Sequence, residues 1–271
     1  MKLEFSNTFG SMVIGSKGAA LLSFRCKDKV VIPEFSSEVE ADRWKTGYTL
    51  FPFPSRLFKG ESFQFEGLEW RWPHNDLITK SAIHGLTAYQ EFELEMSDQG
   101  VTCAWEYDGG LDYYPFPCRL IVQYRITESG VQQHVNVANM GSQTLPFHLG
   151  WHPYFVMVGA WSIDGLLELE YQYDRDKKPV AVTDFTGIDT KDKVDKAVKT
   201  LEAMRSITIE DQQKRVTMRA MSNWYQIFKP VRSNFLALEP LTGVGHPKTP
   251  WETLAPTEER TYVNELQVQL K

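Results

Sequence analysis

The chain has 271 residues, with 29 lysines and arginines against 35 aspartates and glutamates, for a formal net charge of −6. Apolar residues make up 42% and aromatics 13%, enough to bury a sizeable core, which excludes an intrinsically disordered chain. The acidic balance and the lack of a basic tract argue against nucleic acid or an anionic membrane as the main partner, and no window reaches the roughly 18 apolar residues of a membrane span.

The first segment, Met1-Lys2-Leu3-Glu4-Phe5-Ser6-Asn7, is polar and lacks the apolar core of a secretion signal. The three cysteines, Cys26, Cys103 and Cys118, are odd in number and lack metal-ligand spacing, so they read as free thiols in a reducing, cytoplasmic setting. The loop Phe51-Pro52-Phe53-Pro54 is stiff and presents apolar surface. Phe63 and Phe65 share one strand face before a Glu66-Gly67 turn. Phe92, Leu94 and Met96 share another before Asp98-Gln99-Gly100, and Val101, Cys103 and Trp105 follow. A second aromatic and proline-rich loop runs through Tyr113-Tyr114-Pro115-Phe116-Pro117. Leu120, Val122, Tyr124 and Ile126 then alternate up to Glu128-Ser129-Gly130, and Val131, Val135 and Val137 continue after it. Such turn-bounded, period-two segments predict an all-β sandwich or barrel of antiparallel sheets. Between Asp192 and Arg205, the residues Val194, Ala197, Val198, Leu201 and Met204 fall at helical spacing and predict the one helix. No linker or repeat breaks the chain, so residues 1–271 read as one domain.

The run Phe147-His148-Leu149-Gly150-Trp151-His152-Pro153-Tyr154 combines aromatic rings with histidines, the groups needed to hold a sugar ring and move a proton on it. Proline biases the residue before it toward extended backbone, which suits His152 at a strand end facing a cleft. An imidazole titrates near neutrality and can act as a general acid; a core histidine bonded to a carbonyl is the competing reading. Glu239, in Phe235-Leu236-Ala237-Leu238-Glu239-Pro240, shares a face with Phe235 and Ala237. Partial desolvation in that row would raise its pKa and make it a better base, unless it reaches solvent at the strand end. His84 precedes Gly85, which permits close approach of a ligand to the backbone. Arg56 follows the stiff aromatic loop, where a guanidinium can fork onto hydroxyls or a carboxylate. His246 follows Glu239 by seven residues and is placed to line the same cleft. No HxH or HExxH pair supports a metal, and no phosphate-cradling glycine loop or nucleophile elbow is present.

These segments, in this order, resemble the aldose 1-epimerase (mutarotase) family, closest to its shorter bacterial LacX-like branch. The likeness spans roughly Lys45 to Val263. It rests on FPFPSRLFKGESFQFEG from Phe51 to Gly67, Asn75 with His84-Gly85 nine residues on, NMGSQTLPFHLGWHPYF from Asn139 to Phe155, and LALEPLTG from Leu236 to Gly243. The resemblance implies a large antiparallel β-sandwich with a sugar cleft on a concave face and little helix. It implies His152 as general acid and Glu239 as general base. Arg56, His84 and Asn75 would bind sugar hydroxyls, and Asp195 is the nearest match by position for a substrate-binding aspartate. Two positions depart from the family pattern. Ser55 stands where asparagine usually precedes the arginine, and Trp151-His152-Pro153-Tyr154-Phe155 replaces the galactose-type NHSYFN.

The expected activity is interconversion of the α and β anomers of a free aldose, without cofactor or metal, by a carboxylate and an imidazolium that support each other's charge. Trp151, Tyr154 and Trp224 are candidates to stack on the sugar. The expected partner is a small sugar, bound by a monomer or homodimer. A non-catalytic carbohydrate-binding protein is the alternative from another class. A mutarotase acting on a hexose phosphate is the alternative within it, with Arg56 and Arg71 the only cations near the motifs. A glycoside hydrolase would need two facing carboxylates, and the sequence nominates one.

Overall fold

The computed structural model describes residues 1–35, 38–57, 59–165, 167–174, 179–189, 193–200, 202, 206–230, 233–245 and 249–271. The alternation read from the sequence becomes two eight-stranded antiparallel sheets. The first runs, in spatial order, Ser162–Asp164, Ile207–Glu210, Lys214–Ala220, Glu259–Leu270, Gly130–Asn139, Cys118–Thr127, Gly100–Tyr107 and Glu93–Ser97. The second runs Pro179–Asp184, Leu169–Tyr173, Val194–Lys199, Trp224–Lys229, Phe235–Leu241, Gly150–Trp151 and Thr49–Leu50, with Tyr154–Val156 also paired to Phe235–Leu241. A four-stranded N-terminal sheet and two hairpin-sized sheets flank them. The Glu66-Gly67 turn is present: both residues have positive φ, as a two-residue hairpin between Ser62–Phe65 and Leu68–Arg71 requires.

One core joins the inner faces of the two large sheets. Leu120, Val122, Tyr124, Val131 and Val135 meet Val198, Tyr225, Ile227, Leu236 and Leu238 within a single apolar cluster. Gln133 lies in the same buried row and is fully paired. Its amide donates to Thr49 Oγ1 (3.0 Å) and to the Tyr124 hydroxyl (2.8 Å), and its carbonyl accepts from Asn264 (2.7 Å). A buried amide is tolerable only with its partners present. This network ties the first sheet to Thr49 on the edge of the second.

The helix expected between Asp192 and Arg205 is corrected. Val194–Lys199 is a strand between Leu169–Tyr173 and Trp224–Lys229, while Asp192, Leu201, Met204 and Arg205 lie outside the described residues. A strand buried on both faces explains the misreading. Val194 and Val198 point into the main core, and Ala197 points into a small apolar cluster on the other face with Tyr171, Trp224, Leu241 and Val244. Those three positions mimic i, i+3, i+4 spacing. An α-helix does occur at Glu38–Trp44, where the sequence reading placed none. Among the described residues, no helix is long and apolar enough to cross a membrane.

Candidate active site

The outward face of the second sheet carries the site. In antiparallel register, Asp195 faces Phe228, Gln226 faces Glu239, and Trp224 faces Leu241. Alternation puts these side chains on one surface, opposite the core face of Tyr225, Ile227 and Leu238.

Two short segments cross the edge of this surface. Gly150 pairs with Leu241, and Tyr154 pairs with Ala237. Four residues separate the pairs on each strand, so the register is the same before and after the gap and His152 falls directly opposite Glu239. The ladder is interrupted there. Pro153 has no N–H to offer, and the backbone of His152 pairs on its other side, its N–H with Tyr48 O (3.0 Å) and its carbonyl with the Gly47 N–H (2.8 Å). The outcome is a cross-strand pair with His152 Nε2 3.4 Å from Glu239 Oε1, both residues buried.

A cavity of about 370 Å³ opens above the pair, lined among others by Arg56, Asp76, His84, Tyr173, Asp195 and Gln226. Burial, and then the charge of Asp195, holds the Glu239 pKa well above the ordinary glutamate value. Burial, and then the nearby His84, holds His152 well below the ordinary histidine value. The two shifts cooperate. Burial disfavours both charges at once and so works against the charge-separated form expected from the sequence.

His84 has a positive φ of 66°, and Gly85 follows at 62°. A Cβ on Gly85 would lie 2.3 Å from Phe51 O, so the close approach that the glycine allows is to the chain's own carbonyl, which accepts from the Leu86 and Thr87 N–H groups. This left-handed pair turns the His84 ring into the cleft. Its Nδ1–H donates to Pro54 O at 2.6 Å, and its pKa falls to about 4, chiefly through burial with the Arg56 and Lys45 cations helping. A neutral His84 thus presents Nε2 as an acceptor. Arg56 lines the cavity but is committed. Its Nη2 lies 2.8 Å from Asp76 Oδ2, and its Nε donates to Thr79 at 3.2 Å. Burial alone would raise Asp76, but bonds from Arg56 and Thr79 outweigh it and bring its pKa to about 2. Asp195 also lines the cavity. Gln226 donates to its Oδ1 (3.0 Å), and Lys193 Nζ is 3.7 Å from its Oδ2.

Two expected binding residues stand elsewhere. Asn75 is exposed and its amide is spent on the loop, donating to Ile83 O and the Tyr89 hydroxyl and accepting from the Ile83 N–H. Trp151 is fully buried, with its indole N–H on Gly47 O (3.1 Å), because alternation sends the side chain before His152 into the core. The stacking candidates also change. Trp224 packs on Tyr171 at 4.7 Å and lines a separate depression, and Tyr154 stacks on His152. Tyr173 and Phe228 face the cavity instead. Ser55 accepts a bond from the Gly245 N–H (3.1 Å) and so pins the loop after Glu239. His246 lies outside the described residues. His148 is buried away from the cleft against Trp251. No cluster suited to a metal occurs among the described residues.

Sequence comparison matches residues 1–266 to the aldose 1-epimerase family. The uncharacterised protein YihR of Escherichia coli (strain K12) is 25% identical over 263 residues, which span 89% of this chain and 83% of that one. Among solved structures, a putative aldose 1-epimerase from Escherichia coli K12 superposes with a TM-score of 0.87 at 18% identity, covering 100% of this chain and 99% of that one. A galactose mutarotase-like protein from Clostridium acetobutylicum gives 0.86 at 16%, covering 100% and 95%. At those identities the structural likeness speaks for the fold.

Proposed function

The chain belongs to the aldose 1-epimerase family, and from that premise we propose that it is a mutarotase, an isomerase that interconverts the α and β anomers of a free aldose. The observation that carries the reading is the convergence of one imidazole and one carboxyl group, 3.4 Å apart, under a cavity lined by hydroxyl-reading groups. Glu239 takes the proton from the C1 hydroxyl as His152 delivers one to the ring oxygen. The C1–O5 bond breaks, C1 turns about the C1–C2 bond, and closure on the other face reverses both transfers. The protonation of the pair is the same before and after, so each turnover regenerates the pair. Sugar hydroxyls entering the cleft supply the hydrogen bonds that burial denies, which favours the ionised form with Glu239 as base and His152 as acid. Each assisted proton transfer contributes about 10²–10⁴ in rate.

Asp195, Gln226 and His84 are the proposed hydroxyl-reading groups. Arg56 is offset by Asp76 and Lys193 by Asp195, so among the described residues the cleft offers no surplus positive charge, which favours a neutral aldose over a hexose phosphate. The reading includes one domain over residues 1–271, and the three buried free cysteines support a reducing, cytoplasmic compartment. The test is polarimetry on freshly dissolved α-glucose and α-galactose. The protein accelerates decay to the equilibrium rotation, and His152→Asn abolishes nearly all of the acceleration. Sugar binding without faster anomer exchange would make the protein a carbohydrate receptor instead.

A further inference from the structure

We infer that Tyr154 is the positioning residue of the His152 imidazole, which it aims by ring stacking in place of a hydrogen bond; the catalytic part of this inference rests on the mutarotase reading. A catalytic histidine is usually oriented through the ring nitrogen that does no chemistry, by a bond to a carbonyl or carboxylate. Here Nδ1 of His152 is buried and has no hydrogen-bond partner in another described residue, the ring's one backbone contact being with His152 itself. The ring is held by its faces and edges. Tyr154 lies over it at 5.2 Å between centroids and 26° between planes, and His84 meets it edge-on at 5.4 Å and 76°.

Tyr154 is itself fixed. It is 2% exposed, with Phe35 (6.0 Å, 77°) and Trp44 (6.3 Å, 73°) against its ring edge-to-face. Its backbone belongs to the ladder with Phe235–Leu241, two residues from His152 on one strand as Ala237 is from Glu239 on the other. The strand that carries the base therefore also holds the plate against which the acid rests. An imidazole free at Nδ1 can tilt about χ2. A tilt that moves Nε2 by about 1 Å can cost about 100-fold in rate.

The test uses the full chain with Tyr154→Phe, which keeps the plate, and Tyr154→Leu, which removes it. Thermal unfolding checks that each variant is folded, and Tyr154→Met replaces the leucine variant if that one is not. The first readout needs no activity. The Cε1–H resonance of His152, assigned by its loss in His152→Asn, sits upfield in the wild type and in Tyr154→Phe because of the tyrosine ring current, and moves downfield in Tyr154→Leu. The second is kinetic. Tyr154→Leu lowers kcat about 10- to 100-fold with KM changed less than about 2-fold, while Tyr154→Phe keeps kcat within about 3-fold. An unmoved resonance, or wild-type kcat in Tyr154→Leu, overturns the inference. A wild type that moves no anomers counts against the mutarotase reading, and the resonance then decides the stack alone.

Discussion

Glu239→Gln changes one oxygen to an amide nitrogen and leaves the shape of the side chain intact. The wild-type carboxyl is 4% exposed, and burial raises its pKa, so it is already desolvated and its charge is already disfavoured. Replacing a buried group whose charge is disfavoured by a neutral one of equal size costs little, and the stability change should stay within about 1 kcal/mol, or about 2–4 °C in melting temperature. The chemical loss is far larger. An amide neither takes the O1 proton nor gives it back, so the variant forfeits one assisted transfer, about 10²–10⁴ in rate or roughly 3–5 kcal/mol of barrier. The assay is the initial slope of optical rotation for freshly dissolved α-glucose, with the uncatalysed rate subtracted and the melting curve recorded alongside. A variant that melts like the wild type and keeps its rate within a few-fold would refute the assignment of Glu239 and the reasoning from its burial.

Asp195→Asn removes the charge that helps to hold Glu239 up, so Glu239 ionises at lower pH and the limb of kcat/KM that reports Glu239 moves down in pH, with KM raised about 10-fold; the pH–rate profile reads both. Asp211 is buried, accepts from the Val158, Gln213 and Lys214 N–H groups, and lies 2.9 Å from Lys214 Nζ, which also donates to Val156 O. Asp211→Ala strands that lysine and should cost about 3–5 kcal/mol in urea unfolding. The wild-type Asp211 pKa is lowered, because bonds led by Lys214 outweigh burial. Its contribution is therefore complete above the unfolded aspartate value of about 3.9 and is lost as pH falls through the folded value, so wild type and Asp211→Ala converge in acid. Burial brings the His148 pKa to about 3, below its unfolded value of about 6.5. Protonation then favours the unfolded chain, and His148→Leu should lose about 1.6 kcal/mol less than the wild type between pH 6.5 and pH 5, measured by urea midpoints.

The strands were legible because one polar and one apolar face leave a period-two record, and most of the alternating runs named from the sequence occupy strands. The Val194–Lys199 strand was not, because burying both faces erases the record. His152 and Glu239, the pair proposed as catalytic, were singled out through motif resemblance, and local chemistry alone left each residue balanced against a structural role. Tyr173, Gln226 and Phe228 passed unnoticed for another reason. Each is an ordinary strand residue, and its position in the cleft depends on which distant strand lies beside it, which a single sequence does not state. Trp151 and His152 show the same limit at its sharpest: adjacent in sequence, they face opposite sides of the sheet.

Because His152 and Glu239 are opposed across a ladder that keeps its register on both sides of the gap, the distance between them is counted in whole residues. One residue added between Gly150 and Tyr154 would turn the imidazole toward the oily interior, and two would carry it about 7 Å along the pleat. Under the proposed mechanism, the length of this crossing is set by the chemistry. No insertion in the four-residue step from Gly150 to Tyr154 would leave the pair opposed.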